Sequence, residues 1–586
     1  MQVWLGQELV MTTARRRSLD VLSPPTGLCS VQLKLWDTVM ELNGGQIAAR
    51  QLKAAGVDTI FGVVGGPMIQ VFAGATEIGM TVVNCRHEES ACFMASAWGY
   101  VNRKPGVMVA ASGPGMTNAI TPLYVATESS MPLVVLGGSA QSSTRGLGGF
   151  QEADQMAFAR PACKWIQQVD STSRIAELTH LALGKSISGR PGGVYLDFPG
   201  EHVSRRIEED KAGIRERMPN VFAPHPDPAA MDEVADMLRT AQRPLIMLGK
   251  GAAWADAGEP LTELVSLGIP YITSPMGRGV IPDDHPAFMN AARSAALADA
   301  DAIVMIGGRF NWIFQFGKAP RYAEGVRIAQ IDVVAEEMWS AADVEIGIIA
   351  DAANAAHALV ERLADRPLAC TGTGWMESLA ARSADNNSRL TDRVESNASP
   401  LDPHRVLTAV KDALPRDANI AVDGEITMGI GRVLLPSYVA RSRFNAGTTG
   451  CMGTGVPYAI GAKLARPDST SVVVLGDYAF GAAAMEVETA ARVGANVVFV
   501  VCNNEGIAGH TIQDAMFPAD SPRIAKLLPA NYEKLAEMVD GHMERVETAD
   551  QLAPALARAL GANRPAVVHV ITDPKAGRVS GGSYLG

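Results

Sequence analysis

The chain has 586 residues, of which 47% are hydrophobic and 19% are charged, and it carries a net charge of −11. A chain of this size predicts roughly three or four domains, and an acidic balance without clustered Lys and Arg excludes a nucleic-acid partner. The longest apolar runs are far shorter than the roughly 20 residues that a membrane-spanning helix needs, so no membrane partner is expected.

The first 39 residues differ from the rest of the chain. They are basic, they contain a Pro-Pro pair at residues 24–25, and they lack the apolar core of a secretory signal. We expect residues 1–39 to be a disordered extension, or a segment included by a wrongly assigned start, with Met40 as the true first residue. The seven cysteines are scattered and form no C-x-x-C pair, which disfavours zinc and disulfides and indicates a cytoplasmic protein.

From residue 40 onward, helix and strand patterns alternate, which is typical of parallel α/β sheets. Apolar strand patterns such as PLVVLGG, PLIMLGKG and NVVFVVC fall in three blocks, which polar connectors at 205–228 and 383–403 separate. We therefore predict three α/β domains, each built on a doubly wound parallel sheet. Their predicted bounds are 40–205, 225–365 and 403–575, and residues 576–586 form a tail that is a candidate lid.

In the third block, two polar residues directly follow apolar strands. Asp477 follows VVVLG, and Asn504 ends the run NVVFVVCNN. One crossover separates them, so both are expected at the carboxyl edge of one sheet, where ligands bind. A carboxylate, an amide oxygen and the nearby Gly506 carbonyl suit Mg²⁺. The amides from Tyr478 onward, at the next helix start, would meet phosphate groups. The alternative is that Asp477 only caps that helix.

This arrangement resembles the diphosphate motif of the thiamine diphosphate enzymes, which is G-D-G-S followed by a helix, a strand and N-N. Tyr478 and Ala479 stand in place of the family's Gly and Ser, so backbone amides would hold the phosphates. The resemblance implies thiamine diphosphate and Mg²⁺ as cofactors, with Asp477, Asn504 and Gly506 as metal ligands. It also implies that the three domains are the pyrimidine-binding, middle and diphosphate-binding domains.

Other segments resemble the family at their own positions. CRHEESACFMAS makes Glu88 the activating carboxylate, and in GTTGCMGTG the residue Met452 would hold the cofactor rings bent while Gly450 accepts a hydrogen bond from the aminopyrimidine. ASGPGMTN and GGFQEADQ match loops near the reactive carbon, which makes Asn118 a cofactor contact and Gln151 a candidate catalytic residue. The family shares each site between two subunits, which implies a homodimer at least, and commonly a homotetramer.

The middle block resembles the members of the family that act on CoA thioesters. LGKGAAWADAG, PMGRGVIPDDHP and GGRFNWIFQFG are similar to segments of oxalyl-CoA decarboxylase and 2-hydroxyacyl-CoA lyase, whereas acetolactate synthases have an acidic pair in place of Asn311-Trp312. The resemblance implies a CoA thioester substrate. Its nucleotide end would be bound by Lys250, Arg278, Arg309 and Asn311. The alternative for each of these residues is a surface charge or a hydrogen bond that holds a loop.

Three positions favour the lyase over the decarboxylase. Gly66 replaces a bulky aliphatic residue of the oxalyl enzymes, and Phe150 and Ala508 replace tyrosines, so we expect a roomier pocket. A lyase would cleave or form a 2-hydroxyacyl-CoA, with formyl-CoA and an aldehyde or ketone as the other reactants. Oxalyl-CoA decarboxylase, or an acetolactate synthase-like decarboxylase or carboligase of 2-keto acids, is the alternative.

A lyase also needs a base for the 2-hydroxyl proton, whereas decarboxylation does not. His510 is our first candidate and Glu505 the second, because both follow the metal motif, and Gln151 is a candidate hydrogen-bonding partner. Ser580, in the tail, matches a serine of the oxalyl enzymes. A solvent-facing loop histidine is the alternative for His510.

Overall fold

The computed structural model of the chain describes residues 40–576. These residues form three parallel sheets flanked by helices, together with one two-stranded antiparallel ribbon. Each sheet lies within one of the three predicted blocks, so the prediction of a three-sheet α/β fold is confirmed. The predicted extension 1–39 and the predicted lid, apart from Ala576, lie outside the described residues. No helix of the described part of the chain is long and apolar enough to cross a membrane.

The first sheet has six parallel strands in the order β3-β2-β4-β5-β7-β6, and β1 pairs with β8 beside it. The strands of this region are β1 Glu41–Asn43, β2 Thr59–Gly62, β3 Thr81–Asn84, β4 Gly106–Ala110, β5 Leu133–Ser139, β6 Trp165–Gln168, β7 Gly193–Pro199 and β8 Arg206–Glu208. Its helices are α1 Gly44–Ala54, α2 Ile69–Glu77, α3 Glu88–Asn102, α4 Pro114–Thr117, α5 Ile120–Glu128, α6 Gln155–Ala159, α7 Ile175–Ile187 and α8 Gly200–Ser204.

The middle sheet has five parallel strands in the order β10-β9-β11-β12-β13. They are β9 Pro244–Leu248, β10 Tyr271–Thr273, β11 Ala302–Ile306, β12 Arg327–Asp332 and β13 Ile346–Ile349. The helices of this region are α9 Pro228–Thr240, α10 Lys250–Trp254, α11 Gly258–Ser266, α12 Arg293–Asp299, α13 Ala352–Leu363, α14 Trp375–Ser388 and α15 Thr391–Val394.

The third sheet has six parallel strands in the order β15-β14-β16-β17-β19-β18. They are β14 Asn419–Asp423, β15 Arg443–Phe444, β16 Ser471–Gly476, β17 Val497–Asn503, β18 His542–Val546 and β19 Ala566–Ile571. The helices are α16 Pro403–Ala413, α17 Glu425–Leu434, α18 Gly455–Ala465, α19 Asp477–Ala483, α20 Glu486–Arg492, α21 Thr511–Met516, α22 Lys534–Glu537 and α23 Ala549–Leu560.

The central strands are the ones that the sequence predicts. β5, β9 and β17 are buried along their whole length, as expected for strands covered by helices on both faces. The short strands β6, β13 and β18 have no counterpart in the sequence prediction, and all three lie at sheet edges. In β13, whose sequence is IGII, buried and exposed residues alternate because one face of this edge strand meets solvent, and its apolar run of four residues is shorter than the five to seven of β5, β9 and β17.

The second polar connector is partly helical. Its first residues belong to α14, which packs through the buried side chains of Trp375 and Leu379, and a short helix, α15, follows. The remaining side chains of α14 are mostly polar, which is why the segment has the composition of a linker. The first connector agrees better with its prediction, since it contains only β8 and a short 3₁₀ turn, Glu209–Ala212, before residue 228.

Helices α3 and α18 join the first and third sheets. Gly461 of α18 meets the backbone of Met94 in α3, and a Cβ atom added at Gly461 would lie 2.3 Å from the Met94 carbonyl oxygen. The rings of Phe93 and Tyr458 pack edge to face beside this crossing, with centroids 5.4 Å apart. One hydrophobic core therefore runs through both helices and both sheets.

Arg278, a predicted CoA contact, instead joins the middle region to the third. Its side chain is buried, Nε donates to Asp283 Oδ2 at 2.7 Å, and Nη1 donates to the Arg432 carbonyl at 2.8 Å. Asp283 Oδ2 also accepts from the Ser437 N–H at 2.7 Å. Burial raises the pKa of Asp283, and the neighbouring Arg278 charge opposes that shift. Because these buried partners occupy the guanidinium, we remove Arg278 from the predicted CoA contacts.

We expect Arg278→Met to lower the free energy of unfolding by about 3–5 kcal/mol, because Asp283 is left as a buried charge without its partner. Urea unfolding followed by circular dichroism measures the change. Adding Asp283→Asn to the same variant should recover part of the loss, since the amide oxygen can still accept from Ser437 without carrying a charge. If Arg278→Met alone is as stable as the parent protein, the ion pair does not stabilise the fold.

Candidate active site

The predicted metal ligands lie together at the carboxyl edge of the third sheet. Strand β16 pairs with β17 so that Gly476 is opposite Cys502, and Asp477 and Asn504 directly follow the two strands. Asp477 Oδ2 accepts from the Gly506 N–H at 3.0 Å. Without a cation, the Asn504 amide satisfies its neighbours by donating to the Gly506 carbonyl at 2.9 Å and accepting from the Gly509 N–H at 3.2 Å. In the opposite orientation, the amide oxygen would face the Gly506 carbonyl oxygen, and a cation between the two would bind both. The structure therefore brings Asp477, Asn504 and Gly506 into one cluster.

The electrostatics of this cluster suit a cation. Asp477 is 1% exposed, and burial raises its pKa to about 6, although the N–H groups of Tyr478 and Gly506 oppose the shift. Its hydrogen-bond partners among the described residues are backbone N–H groups rather than cationic side chains. A buried carboxylate beside an amide and a carbonyl oxygen fits a hard divalent ion, whose charge would stabilise the ionised carboxylate.

The loop after Asn504 has an unusual backbone. Glu505 and Ala508 have φ angles of 60° and 53°, and both Gly506 and Gly509 also have positive φ. A Cβ atom at Gly506 would lie 2.3 Å from the Ala525 carbonyl oxygen, so only glycine fits there. The loop consequently turns sharply at the strand end and returns its polar groups towards Asp477.

His510 lies at the far end of this loop. Its Nε2 is 3.3 Å from Glu505 Oε2, and its backbone N–H donates to the Pro574 carbonyl at 2.8 Å. The His510 side chain is 22% exposed, so it is neither buried in a core nor free in solvent. The two residues that the sequence suggests as candidate bases thus form one pair.

Glu88, the predicted activating carboxylate, is the first residue of α3, directly after the N-cap residue His87. Asn118 Nδ2 donates to Glu88 Oε2 at 3.0 Å, so the predicted cofactor contact Asn118 holds this side chain. The other oxygen, Oε1, faces Gly115, where a Cβ atom would lie 3.6 Å away. This arrangement leaves Oε1 for an external partner.

Two predicted pocket residues lie with Gln151 in a cavity of about 490 Å³ beside the first sheet. Ser112 donates through its hydroxyl to Gln151 Oε1 at 3.0 Å and through its N–H to the Gly66 carbonyl at 3.3 Å. Phe150 is 88% exposed, and a Cβ atom at Gly66 would meet no neighbour within 4 Å. Ser112, which the sequence analysis did not single out, therefore joins two of the predicted residues.

The segment with Gly450 and Met452 forms a loop before α18. Gly450 has a φ of 65° with open space around it, and Met452 is 43% exposed. Asp423, which the sequence analysis did not identify, is fully buried and accepts from the Gly455 N–H at 2.8 Å and from the Gly424 N–H at 2.7 Å. Its position gave a usable signal, because it ends the apolar strand β14 just as Asp477 follows β16.

A second cavity, of about 1080 Å³, lies between the first, middle and third regions of the fold. Lys250, Arg309 and Asn311 line it, near the glycine-rich turns that follow β9 and β11. Lys250 Nζ donates to the Ser130 carbonyl at 2.5 Å, and Arg309 donates to the Glu128 carbonyl. Three of the four predicted CoA contacts thus line one cavity. Each of them already has a hydrogen-bond partner within the protein, and the partner of the Asn311 side chain is the Ile313 N–H.

The site residues form two groups within the chain. Glu88, Asn118 and Gln151 lie on the first region, and the metal cluster and His510 lie on the third. Among residues 40–576, no hydrogen bond joins a member of one group to a member of the other. Both groups lie at loops that follow strand ends, which is where parallel α/β sheets bind their ligands.

Sequence models of one family match the chain in three segments. The N-terminal TPP binding domain of the thiamine pyrophosphate enzymes matches residues 42–158, the central domain matches 231–359, and the C-terminal TPP binding domain matches 424–570. The N-terminal match contains Glu88, Asn118 and Gln151, and the C-terminal match contains the metal cluster and His510. The two groups of site residues therefore fall in the two TPP binding domains.

Curated relatives with different activities match nearly the whole chain. The 2-hydroxyacyl-CoA lyase of Oryza sativa subsp. japonica is 34% identical over 92% of this chain and 97% of its own. The oxalyl-CoA decarboxylase of Escherichia coli (strain K12) is 33% identical over 93% and 97%. The acetolactate synthase large subunit of Mycobacterium tuberculosis is 34% identical over 91% and 96%. Taken with the three domain matches, these similarities show that the chain belongs to the thiamine pyrophosphate enzyme family.

Proposed function

We propose that the protein is a thiamine diphosphate- and Mg²⁺-dependent carbon–carbon lyase. It cleaves, or reversibly forms, a 2-hydroxyacyl-CoA, and the other reactants are formyl-CoA and an aldehyde or ketone. In the cleavage direction, the bond between C1 and C2 breaks, the 2-hydroxyl loses its proton to become the new carbonyl, and C1 gains a hydrogen. Atoms balance without an oxidant or a reductant.

The observation that carries this proposal is the lining of the 490 Å³ cavity. Its walls consist of small, apolar and neutral polar residues, among them Gly66, Ser139, Ala140, Phe150 and Gln151. A neutral alkyl or hydroxyalkyl group suits such walls, whereas the free carboxylate of an oxalyl group would lose its hydration without gaining a cationic partner. The similarity to a 2-hydroxyacyl-CoA lyase supports the same choice.

The chain's own residues would hold the cofactor and the metal. Asp477, Asn504 and Gly506 would bind Mg²⁺. The backbone amides from Ala479 onward would bind the diphosphate, because the Tyr478 N–H already donates to Asp477 at 2.8 Å. Thiamine diphosphate, when bound, supplies an electron sink that stabilises the carbanion formed as the carbon–carbon bond breaks. Glu88 holds a proton at Oε1, which Asn118 leaves free by binding Oε2.

His510 is the base in this proposal. Glu505 Oε2 lies 3.3 Å from Nε2, which has no hydrogen-bond partner among the described residues. A small realignment would let Glu505 accept the proton of Nε2, and the lone pair of Nδ1 would then be available for the 2-hydroxyl proton of the substrate. Gln151, held by Ser112, would hydrogen-bond the acyl group. A carboxylate behind an imidazole stabilises the cation that forms when the imidazole takes up a proton.

The 1080 Å³ cavity is our candidate for the nucleotide end of CoA. Arg309 and Asn311 would meet phosphate and ribose groups, and Lys250 would fix the first turn of α10 by its bonds to the first region. A free adenine nucleotide has the same chemistry and is the alternative occupant. Competition between CoA and ADP in an equilibrium-binding assay distinguishes one shared site from two separate sites.

The division of the site residues into two groups supports a homodimer at least, and the resemblance to the family is the ground for proposing a homotetramer as the larger assembly. In a dimer, the first region of one subunit would face the third region of its partner. The metal cluster and the Glu88–Asn118 pair would then complete one site together. We retain the cytoplasm as the proposed location.

The proposal is tested by assaying the purified protein with thiamine diphosphate and Mg²⁺ against a panel of substrates. We expect turnover of 2-hydroxyacyl-CoA thioesters, with formyl-CoA and an aldehyde or ketone as products detected by mass spectrometry. Oxalyl-CoA and free 2-keto acids complete the panel. Preferential release of carbon dioxide from oxalyl-CoA would identify a decarboxylase, and acetolactate formation from pyruvate would identify a carboligase.

Glu88→Gln should leave cofactor binding intact and slow the exchange of the cofactor C2 proton by orders of magnitude. Glutamine keeps the size of the side chain but cannot hold and release the proton at Oε1. Proton NMR after quenched exchange in D₂O measures the rate. Glu89→Gln, the same change at the next residue of α3, is the matched control and should exchange at the parental rate. Parental exchange in Glu88→Gln would assign the activation to another residue.

His510→Ala should slow cleavage of 2-hydroxyacyl-CoA by roughly 10²–10⁴-fold, the usual contribution of a general base. Any residual decarboxylation of oxalyl-CoA should be spared, because a departing carboxylate needs no base. His542→Ala is the control, since His542 also pairs with a glutamate, Glu544 at 2.7 Å, but lies on the edge strand β18. Unchanged cleavage in His510→Ala would transfer the role to Glu505 or to water.

A further inference from the structure

A series of three hydrogen-bonded, buried polar side chains lies beneath residues 504–506, which we call the metal loop. Glu533 Oε2 is 2.5 Å from His569 Nδ1, and His569 Nε2 is 2.9 Å from Asn503 Nδ2. Asn503 Oδ1 in turn accepts from the Glu505 N–H at 3.0 Å. The proposed catalytic steps use none of Glu533, His569 and Asn503.

These three side chains are shielded from solvent. His569 is 0% exposed, Asn503 is 3% exposed and Glu533 is 8% exposed. The ring of Tyr532 packs edge to face on the His569 ring, with centroids 5.5 Å apart. Buried polar groups stabilise a fold only when they are fully hydrogen-bonded, so each member of this series depends on the next.

The carboxylate determines the tautomer of the histidine. An ionised Glu533 can only accept, so His569 donates from Nδ1 and keeps a lone pair on Nε2. Nε2 then accepts from the Asn503 amide nitrogen, which turns the amide oxygen towards the Glu505 N–H. The reverse amide orientation would place two lone pairs against each other at His569 and two donors against each other at Glu505.

The last hydrogen bond of the series, from the Glu505 N–H to Asn503 Oδ1, lies where the backbone changes direction. Glu505, two residues after the end of β17, has a left-handed backbone with a φ of 60°. Asn504 and Gly506, two of the proposed metal ligands, flank Glu505. A bond that holds the Glu505 N–H therefore holds the turn that carries both of them.

We propose that Glu533, His569 and Asn503 are positioning residues that hold the metal loop in its cation-binding conformation. This inference rests on the metal site of the proposed function. In the absence of the chain of hydrogen bonds, the left-handed turn at Glu505 would compete with extended conformations, and the cation would have to bind the small fraction of molecules in which the turn is formed. Residues that orient metal ligands contribute typically about 10–100-fold to metal affinity.

The experiment measures Mg²⁺ binding directly. The purified full-length protein is stripped of metal, Mg²⁺ is titrated in the presence of thiamine diphosphate, and the heat gives the dissociation constant. We expect His569→Gln and Glu533→Gln each to raise it by about 10–100-fold. A glutamine in place of Glu533 can present either a donor or an acceptor to Nδ1, so the tautomer is no longer determined. The double variant should bind Mg²⁺ no more weakly than the weaker-binding single variant, because both changes interrupt the same series of hydrogen bonds.

His404→Gln is the matched control. His404 is also buried, at 4% exposure, and its Nδ1 is 2.9 Å from Asp402, but it lies on α16 and has no bond to the metal loop among the described residues. This variant should bind Mg²⁺ with the parental dissociation constant and should add independently to either of the other changes. A general loss of stability in the third region would instead affect all three variants alike.

Asp477→Ala separates the two proposals. If this variant binds Mg²⁺ as the parent does, the metal site itself is wrong. If Asp477→Ala abolishes Mg²⁺ binding while His569→Gln and Glu533→Gln bind Mg²⁺ normally, the positioning role is overturned and the metal site stands. The same conclusion follows if the effects of His569→Gln and Glu533→Gln on the dissociation constant simply add in the double variant. Should His569→Gln not fold, as judged by circular dichroism of the metal-free protein, the result for Glu533→Gln decides.

Discussion

The register between β16 and β17 is the constraint on which the proposed site depends. Because Gly476 lies opposite Cys502, β17 extends only one residue beyond β16, and Asp477 and Asn504 follow the two strand ends at one edge of the sheet. A shift of one residue would turn each following side chain to the other face of the sheet. Both strands are buried along nearly their whole length, so the packing of helices on the two faces fixes this register, and with it the distance between the proposed ligands.

Burying a carboxylate at such an edge is costly unless partners compensate for the lost water. At Asp477 and Asp423 the compensation comes from backbone N–H groups of neighbouring loops, so the two carboxylates organise the loops around them. At Asp283 it comes from an arginine, and the result is a structural connection between regions rather than a site. The same residue type therefore serves two purposes, and the nature of its partners distinguishes them.

The central strands could be predicted because their apolar runs are shielded from water only between two layers of helices. Among the edge strands, β3 and β10 could be predicted from their apolar runs, whereas β6, β13 and β18 could not. β6 and β18 contain several polar residues and are partly exposed, and β13 has only four residues, so none of the three carries a pattern that separates it from a loop. The helix α14 could not be predicted for a related reason, since only Trp375 and Leu379 of its residues are buried.

For the site, the amino-acid sequence by itself determined the residue types and their places at strand ends: Glu88 before a helix, and Asp477 and Asn504 after strands. It also determined the family, because those motifs recur with the same spacing. Only the tertiary structure decided which polar side chains were already occupied. Arg278 lost its predicted role to Asp283, and His569 acquired one through Glu533 and Asn503. These partners are far apart in sequence or hidden in loops, and hydrogen bonds between them depend on distances that no local pattern encodes.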